Sequence, residues 1–199
     1  MLNIKHDDLS WFKLVLKNNN LVERLKKIKL ILSDVDGALT NAHVYVAEDG
    51  EGGREFSTQD GFFVRWMIDH GINIALISGK GNKSTEVRAR HIGIPLDQCF
   101  IGNVEKREIA QELCKKFNLT KEEVLIYGDD LPDADIKLSN LAELFICPAN
   151  APFYIQSVAD LVLSREGGHN AFRLLSDIIL YIQGKHKAQD LVKAALDKE

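Results

Sequence analysis

The sequence predicts an α/β domain, a parallel central sheet with helices on both faces, and three observations carry that expectation. Ile28–Leu32 is a short apolar run that stops abruptly at Ser33-Asp34-Val35-Asp36-Gly37, as a buried strand does. Similar runs follow at Ile72–Ile77, Val124–Tyr127, Leu144–Cys147 and Leu161–Leu163. Helix-like stretches lie between them, at 61–70, 83–91, 104–117, 151–157 and 170–183. Strands alternating with helices build βαβ units, whose right-handed crossovers cover both faces of a parallel sheet.

The first element lies ahead of that alternation. Residues 8–27 carry apolar side chains at roughly helical spacing, with a weak point at Asn18-Asn19-Asn20. They read as one or two helices on the edge of the main domain, within an N-terminal extension of 1–27. The domain proper then spans 28–183. One segment interrupts its alternation. Val44-Tyr45-Val46 and Arg54-Glu55-Phe56 flank an acidic, glycine-rich stretch, the pattern of a β-hairpin flap. The tail, 184–199, is charged and helix-prone, its apolar side limited to Leu191, Val192, Ala195 and Leu196. Two readings stay open for it, a frayed end or a segment that docks on a neighbouring subunit.

Composition narrows the function. The chain has 199 residues, enough for one domain with a sizeable core, and its net charge of −4 gives no basic footprint for nucleic acid. Lys26, Lys27 and Lys29 cluster as a solvated face does. Cys99, Cys114 and Cys147 are too scattered for a disulfide framework or a zinc site, so reduced thiols in the cytoplasm are expected. The opening residues do not read as a signal peptide, and no apolar stretch approaches the ~20 residues that span a bilayer.

Polar residues gather where the strands end. Asp34 and Asp36 follow the first, Ser78, Gly79 and Lys80 the second, and Gly128, Asp129, Asp130 and Asp133 a later one. Ligands of open α/β sheets bind at that edge. Asp34 and Asp36 are two apart, so an extended chain points both carboxylates to one side. Like charges this close raise one another's pKa unless a cation intervenes, and a site of a few carboxylates suits Mg²⁺. Taken alone, D-x-D-G is commonest as a turn or cap. A calcium loop is excluded by Ala38 at the next ligand position and Tyr45 at the twelfth. The conjunction of D-x-D-G, a serine, a lysine and G-D-D-x-x-D, each after a strand, points to chemistry.

These motifs resemble the haloacid dehalogenase superfamily of phosphatases. Asp34–Thr40 matches its DxDGxLT stretch, Ser78 its second motif, Lys106 within Asn103-Val104-Glu105-Lys106 its third, and Gly128–Asp133 its GDDxxD. The resemblance covers roughly 28–183 and is most specific to the small capless sugar-acid phosphatases, the 3-deoxy-D-manno-octulosonate (KDO) 8-phosphate phosphatase group. Phe56-Ser57-Thr58-Gln59-Asp60-Gly61 and Arg165-Glu166-Gly167-Gly168 resemble that group's F-x-x-x-D-G stretch and late Gly-Gly loop.

The resemblance implies a Rossmann-like fold and a set of roles. Asp34 is the nucleophile that becomes an aspartyl phosphate, and Asp36 the acid that protonates the leaving oxygen and then the base toward water. Ser78 holds phosphoryl oxygens, and Lys106 offsets the charge of Asp34 and phosphate. Asp34, Asp129 and the Asp36 backbone carbonyl hold Mg²⁺. Asp130 and Asp133 act behind them, through water or by orienting Lys106. Gly79, Lys80, Asp60, Arg65 and His169 are candidates to touch substrate.

The segments between motifs are too short for a cap domain, so the resemblance also implies a homotetramer in which the hairpin or tail closes a neighbour's site. The late loop departs from the group's Gly-Gly-Arg-Gly: it reads Gly167-Gly168-His169-Asn170 here. A histidine lacks the rigid fork with which arginine pairs a carboxylate. Arg173, Arg65 or Lys80 compensates, or the substrate is another sugar-acid phosphate such as a nonulosonate 9-phosphate. A catalytically silent regulatory protein and a receiver domain are the readings from other classes; the second aspartate argues against the former, and the D-x-D-G plus G-D-D pairing against the latter.

Overall fold

The computed structural model describes residues 8–48, 50–102 and 105–197. Six parallel strands form the sheet: β1 (Leu30–Ser33), β4 (Asn73–Ser78), β5 (Cys99–Ile101), β6 (Val124–Tyr127), β7 (Leu144–Cys147) and β8 (Leu161–Val162), in the order β5-β4-β1-β6-β7-β8. The four inner strands, β4, β1, β6 and β7, are buried on both faces, and their alternating side chains serve two cores. Ile31, Ile74, Leu76, Leu125 and Tyr127 face one core, while Leu30, Leu32, Ala75, Ile77, Val124 and Ile126 face the other.

The first core is covered by α1 (Asp8–Lys17), α2 (Asn19–Leu25), α3 (Val64–Asp69), α4 (Lys83–Ile92) and α8 (Ala171–Ile182). The second lies under α5 (Lys106–Phe117), α6 (Leu131–Leu138) and α7 (Phe153–Gln156). The N-terminal segment is two helices that break where Asn18 caps the second by accepting the Leu21 N–H. They are not peripheral: Trp11, Phe12, Val15, Leu21 and Leu25 belong to the main core, and the Trp11 indole donates to the Val162 carbonyl.

One expectation is corrected here. The flap is a narrow ribbon of β2 (Val46–Ala47) and β3 (Gly50–Glu51), and 54–56 is not its returning strand. The chain has turned back toward the sheet by Arg54, which is buried. The tail forms α9 (Gln189–Leu196), which rests on its own chain, with Val192 and Leu196 packed against the main core. Two further elements, β5 and α6, carry patterns too short or too polar to stand out in the sequence.

Chain order places the site. After β1 the chain steps outward through β4 and β5, then returns to the other side of β1 for β6, β7 and β8. The reversal leaves a crevice beyond the carboxyl ends of β1 and β6.

Candidate active site

Asp34 leaves β1 directly into that crevice, its N–H held by the Tyr127 carbonyl of β6 at 2.8 Å. Asp129 leaves β6 two residues after Tyr127. Between them the backbone must pass within carboxylate contact, which explains Gly37. Its φ is +97°, and a Cβ there would lie 2.0 Å from Asp129 Oδ2. Gly128 is similar, since a Cβ would meet the Asp133 carboxyl carbon at 2.2 Å.

Asp130 caps α6, accepting the Leu131 N–H at 2.8 Å, and Asp133 closes the reciprocal capping box. The cap turns Asp133 inward, where it is 3% exposed, and leaves Asp130 exposed. Lys106 opens α5 and reaches across. Its ammonium donates to Asp34 Oδ1 at 2.5 Å and to Asp133 Oδ1 at 2.7 Å. Asp130 therefore does not orient Lys106; Asp133 does.

Carboxylate oxygens of Asp34, Asp129 and Asp133 lie within 4.8 Å of one another. Three carboxylates against one ammonium leave a deficit of two positive charges. Burial pushes Asp34 up to about 7, with Asp133 and Asp129 adding repulsion against the pull of Lys106. Asp129 is likewise pushed up to about 7, by burial and then by Asp133 and Asp130. Burial also raises Asp133, and the two carboxylates hold the Lys106 ammonium above its ordinary range despite its burial. An all-oxygen donor set short of two positive charges fits a hard divalent cation such as Mg²⁺.

The crevice has a volume of about 520 Å³ and is lined by Asp34, Asp36, Ser78, Gly79, Lys80, Lys106, Asp129, Asp130 and Asp133, together with Glu105, Arg107, Pro132 and Asp135. Ser78 is 2% exposed at the end of β4, its hydroxyl 3.4 Å from Asp36 Oδ2 and accepting the Lys80 N–H. Asn103 and Val104 of the third motif lie outside the described residues.

Three expected substrate contacts do not line this crevice. Asp60 is 4% exposed and accepts the Arg173 N–H at 2.8 Å. It caps α8 from a distance, because Asn170, at φ +70°, makes no side-chain cap of its own. Arg65 lies between the buried Val64 and Met67 on α3, so the helix turns it outward beside Gly93. His169 is exposed, its Nδ1 3.1 Å from the Gly167 carbonyl. Arg173, weighed as a substitute guanidinium, pairs with Asp177 and sits over the Phe62 and Phe63 rings.

The late Gly-Gly loop instead braces the first motif. The Gly168 N–H donates to the Ala38 carbonyl at 3.2 Å. Asn150 straps the two segments, donating to the Gly37 carbonyl at 3.0 Å and accepting the Gly167 N–H at 2.6 Å. Sequence reading missed Asn150, although it stands just beyond the carboxyl end of β7, where the same rule found the others. It also missed Arg54, whose guanidinium grips Asp36 through Nε and, at 3.3 Å, through Nη2. No spacing signal marked Arg54, which lay within a segment read as strand.

No family model matches the chain. Among curated relatives, the KDO 8-phosphate phosphatase of Haemophilus influenzae is 33% identical over 174 residues, covering 87% of this chain and 94% of that protein. The Escherichia coli K12 enzyme of the same name is 30% identical over 166 residues, covering 83% and 86%. Among solved structures, the Moraxella catarrhalis KDO 8-phosphate phosphatase in complex with magnesium, phosphate and KDO superposes with a TM-score of 0.78 at 28% identity, covering 90% of this chain and 99% of that one.

Proposed function

The chain belongs to the KDO 8-phosphate phosphatase family of the haloacid dehalogenase superfamily, and on that premise we propose that it is a Mg²⁺-dependent phosphomonoesterase acting on KDO 8-phosphate or a related sugar-acid phosphate. The observation that carries this reading is the convergence of Asp34, Lys106, Asp129 and Asp133 in one crevice, with the Lys106 ammonium within hydrogen-bond reach of the nucleophile.

Asp34 attacks phosphorus through a carboxylate oxygen, forming an aspartyl phosphate while the bond to the sugar oxygen breaks. Lys106 holds Asp34 in place and offsets charge shared between carboxylate and phosphoryl group. Asp36 passes a proton to the departing oxygen, then accepts one from the water that cleaves the acyl phosphate. Ser78 and the backbone N–H groups after β4 hold phosphoryl oxygens. Asp34, Asp129 and the Asp36 carbonyl would hold Mg²⁺, which would supply the two missing positive charges. Asp133 fixes Lys106 from behind.

The reading is supported by these residues and by the named relatives. A nonulosonate 9-phosphate is the alternative substrate, on the departure of the late loop, His169-Asn170, from the group's arginine and glycine. The resemblance supports a homotetramer, and among the described residues no cap domain covers the crevice. A phosphate-release panel containing both sugar-acid phosphates, with and without EDTA, tests the proposal. Turnover of at least one, abolished by chelation and by Asp34→Asn, is expected; activity surviving either treatment refutes it.

A further inference from the structure

Asp34 and Asp36 stand two residues apart yet have different partners. Asp34 belongs to the cluster around Lys106, whereas Asp36 is outside it and receives the Arg54 guanidinium. Both carboxylate oxygens are engaged, Oδ1 by Nε and Oδ2 by Nη2. A planar fork meeting both oxygens fixes the plane of a carboxylate as well as its position, which a point charge does not.

Exposure separates the two partners. The Asp36 side chain is 21% exposed and lines the crevice, while the Arg54 side chain is 1% exposed and does not line it. Arg54 therefore meets Asp36 from behind, and a substrate in the crevice touches the carboxylate but not the guanidinium. The backbone around Arg54 is itself tethered, because Asn82, the cap of α4, donates to the Gly52 carbonyl at 3.0 Å. Asn82 lies just beyond the Ser78-Gly79-Lys80 turn, so the base of the ribbon and the phosphoryl-holding turn are one connected unit.

We propose that Arg54 is a positioning residue that holds Asp36 apart from the Lys106 cluster and aims its carboxyl at the leaving oxygen. The inference rests on the reading of Asp36 as the proton donor. Without the fork, the Asp36 carboxylate keeps the Ser78 hydroxyl, 3.4 Å from Oδ2, but loses the contact that fixes its plane.

Leaving-group dependence isolates this role. An alkyl phosphate needs a proton on its departing oxygen, whereas p-nitrophenyl phosphate releases a stable anion without one. The value of kcat/KM reports phosphoryl transfer to Asp34 and not the later hydrolysis, so the alkyl-to-aryl ratio of kcat/KM reads proton donation alone. The experiment compares wild type, Asp36→Asn, Arg54→Gln and Arg54→Lys on glycerol 2-phosphate and p-nitrophenyl phosphate, with thermal melts alongside. Asp36→Asn is expected to lower the ratio by about 10²-fold, the usual contribution of a positioned acid. Arg54→Gln is expected to lower it by about 10-fold, and Arg54→Lys, which keeps charge but not the fork, by less. If Arg54→Gln does not fold, Arg54→Lys carries the comparison, and a lowered ratio in it is the supporting result. A selective loss in Asp36→Asn with an unchanged ratio in the Arg54 variants overturns the positioning role alone. An unchanged ratio in Asp36→Asn overturns the proton-donor reading, and the inference with it.

Discussion

Binding of Mg²⁺ should expel protons in a number set by pH. Without a cation, Asp34 and Asp129 are both pushed up from 3.8 to about 7, by burial and then by Asp133 and Asp129 for Asp34 and by Asp133 and Asp130 for Asp129. A cation requires both as carboxylates. At pH 6 each is about nine-tenths protonated, so binding releases close to two protons; at pH 7 about one; at pH 8.5 almost none. The apparent affinity falls accordingly, by about 10²-fold from pH 8.5 to pH 6. The same shift sets stability in EDTA. Because these folded-state values lie above the unfolded 3.8, their contribution is fully present below that pH and is lost as pH rises through about 7. For Asp129 alone the loss between pH 5 and 8 is at most about 3 kcal/mol, at 1.36 kcal/mol per pH unit. Calorimetric titration of Mg²⁺ in buffers of differing ionisation enthalpy counts the protons, and urea denaturation of EDTA-treated wild type and Asp129→Asn reads the stability. The variant should lose about half of the decline between pH 5 and 8, since Asp34 carries a comparable share. Equal proton release at pH 6 and 8.5, or a denaturation profile indifferent to Asp129→Asn, would show that the carboxylates do not share a cation-deficient cluster.

Other perturbations test separate parts of the site. Lys106→Met removes a group preorganised on Asp34 and should lower kcat by about 10²–10³-fold in steady-state assays, with the fold intact by circular dichroism. Gly37→Ala places a Cβ 2.0 Å from Asp129 Oδ2 on a backbone at φ +97°, so Mg²⁺ affinity by calorimetry should fall at least about tenfold. Asp60→Ala removes the cap of α8 and should lower the urea-denaturation stability by about 1–2 kcal/mol.

The four inner strands were legible because each is a short buried run whose side chains serve two cores at once, and Val124–Tyr127 and Leu144–Cys147 begin and end in the structure where the apolar residues do. α6 was hidden for the opposite reason. Its first turn is built from Asp130, Pro132 and Asp133, which announce a polar loop and also cap a helix. The carboxylates could be found because they stand where strands end, and Lys106 because its stretch resembles the family's third motif. Asp60 was misjudged on a motif, since an aspartate before a glycine serves a helix N-terminus as well as it serves a substrate. Arg54 and Asn150 carry no such mark.

By itself, the sequence determined an alternating α/β domain and an acidic edge beside β1 and β6, because periodicity and residue chemistry are written locally, while the family resemblance implied the pairing of Asp34 with a lysine far along the chain. Tertiary structure alone decided which polar residues face the crevice and which support it. That choice depends on where helices dock and on which face each turn presents. Asp60 is thereby drawn under α8, Arg54 goes behind Asp36, and Asn150 is left bridging two loops more than 100 residues apart in the chain.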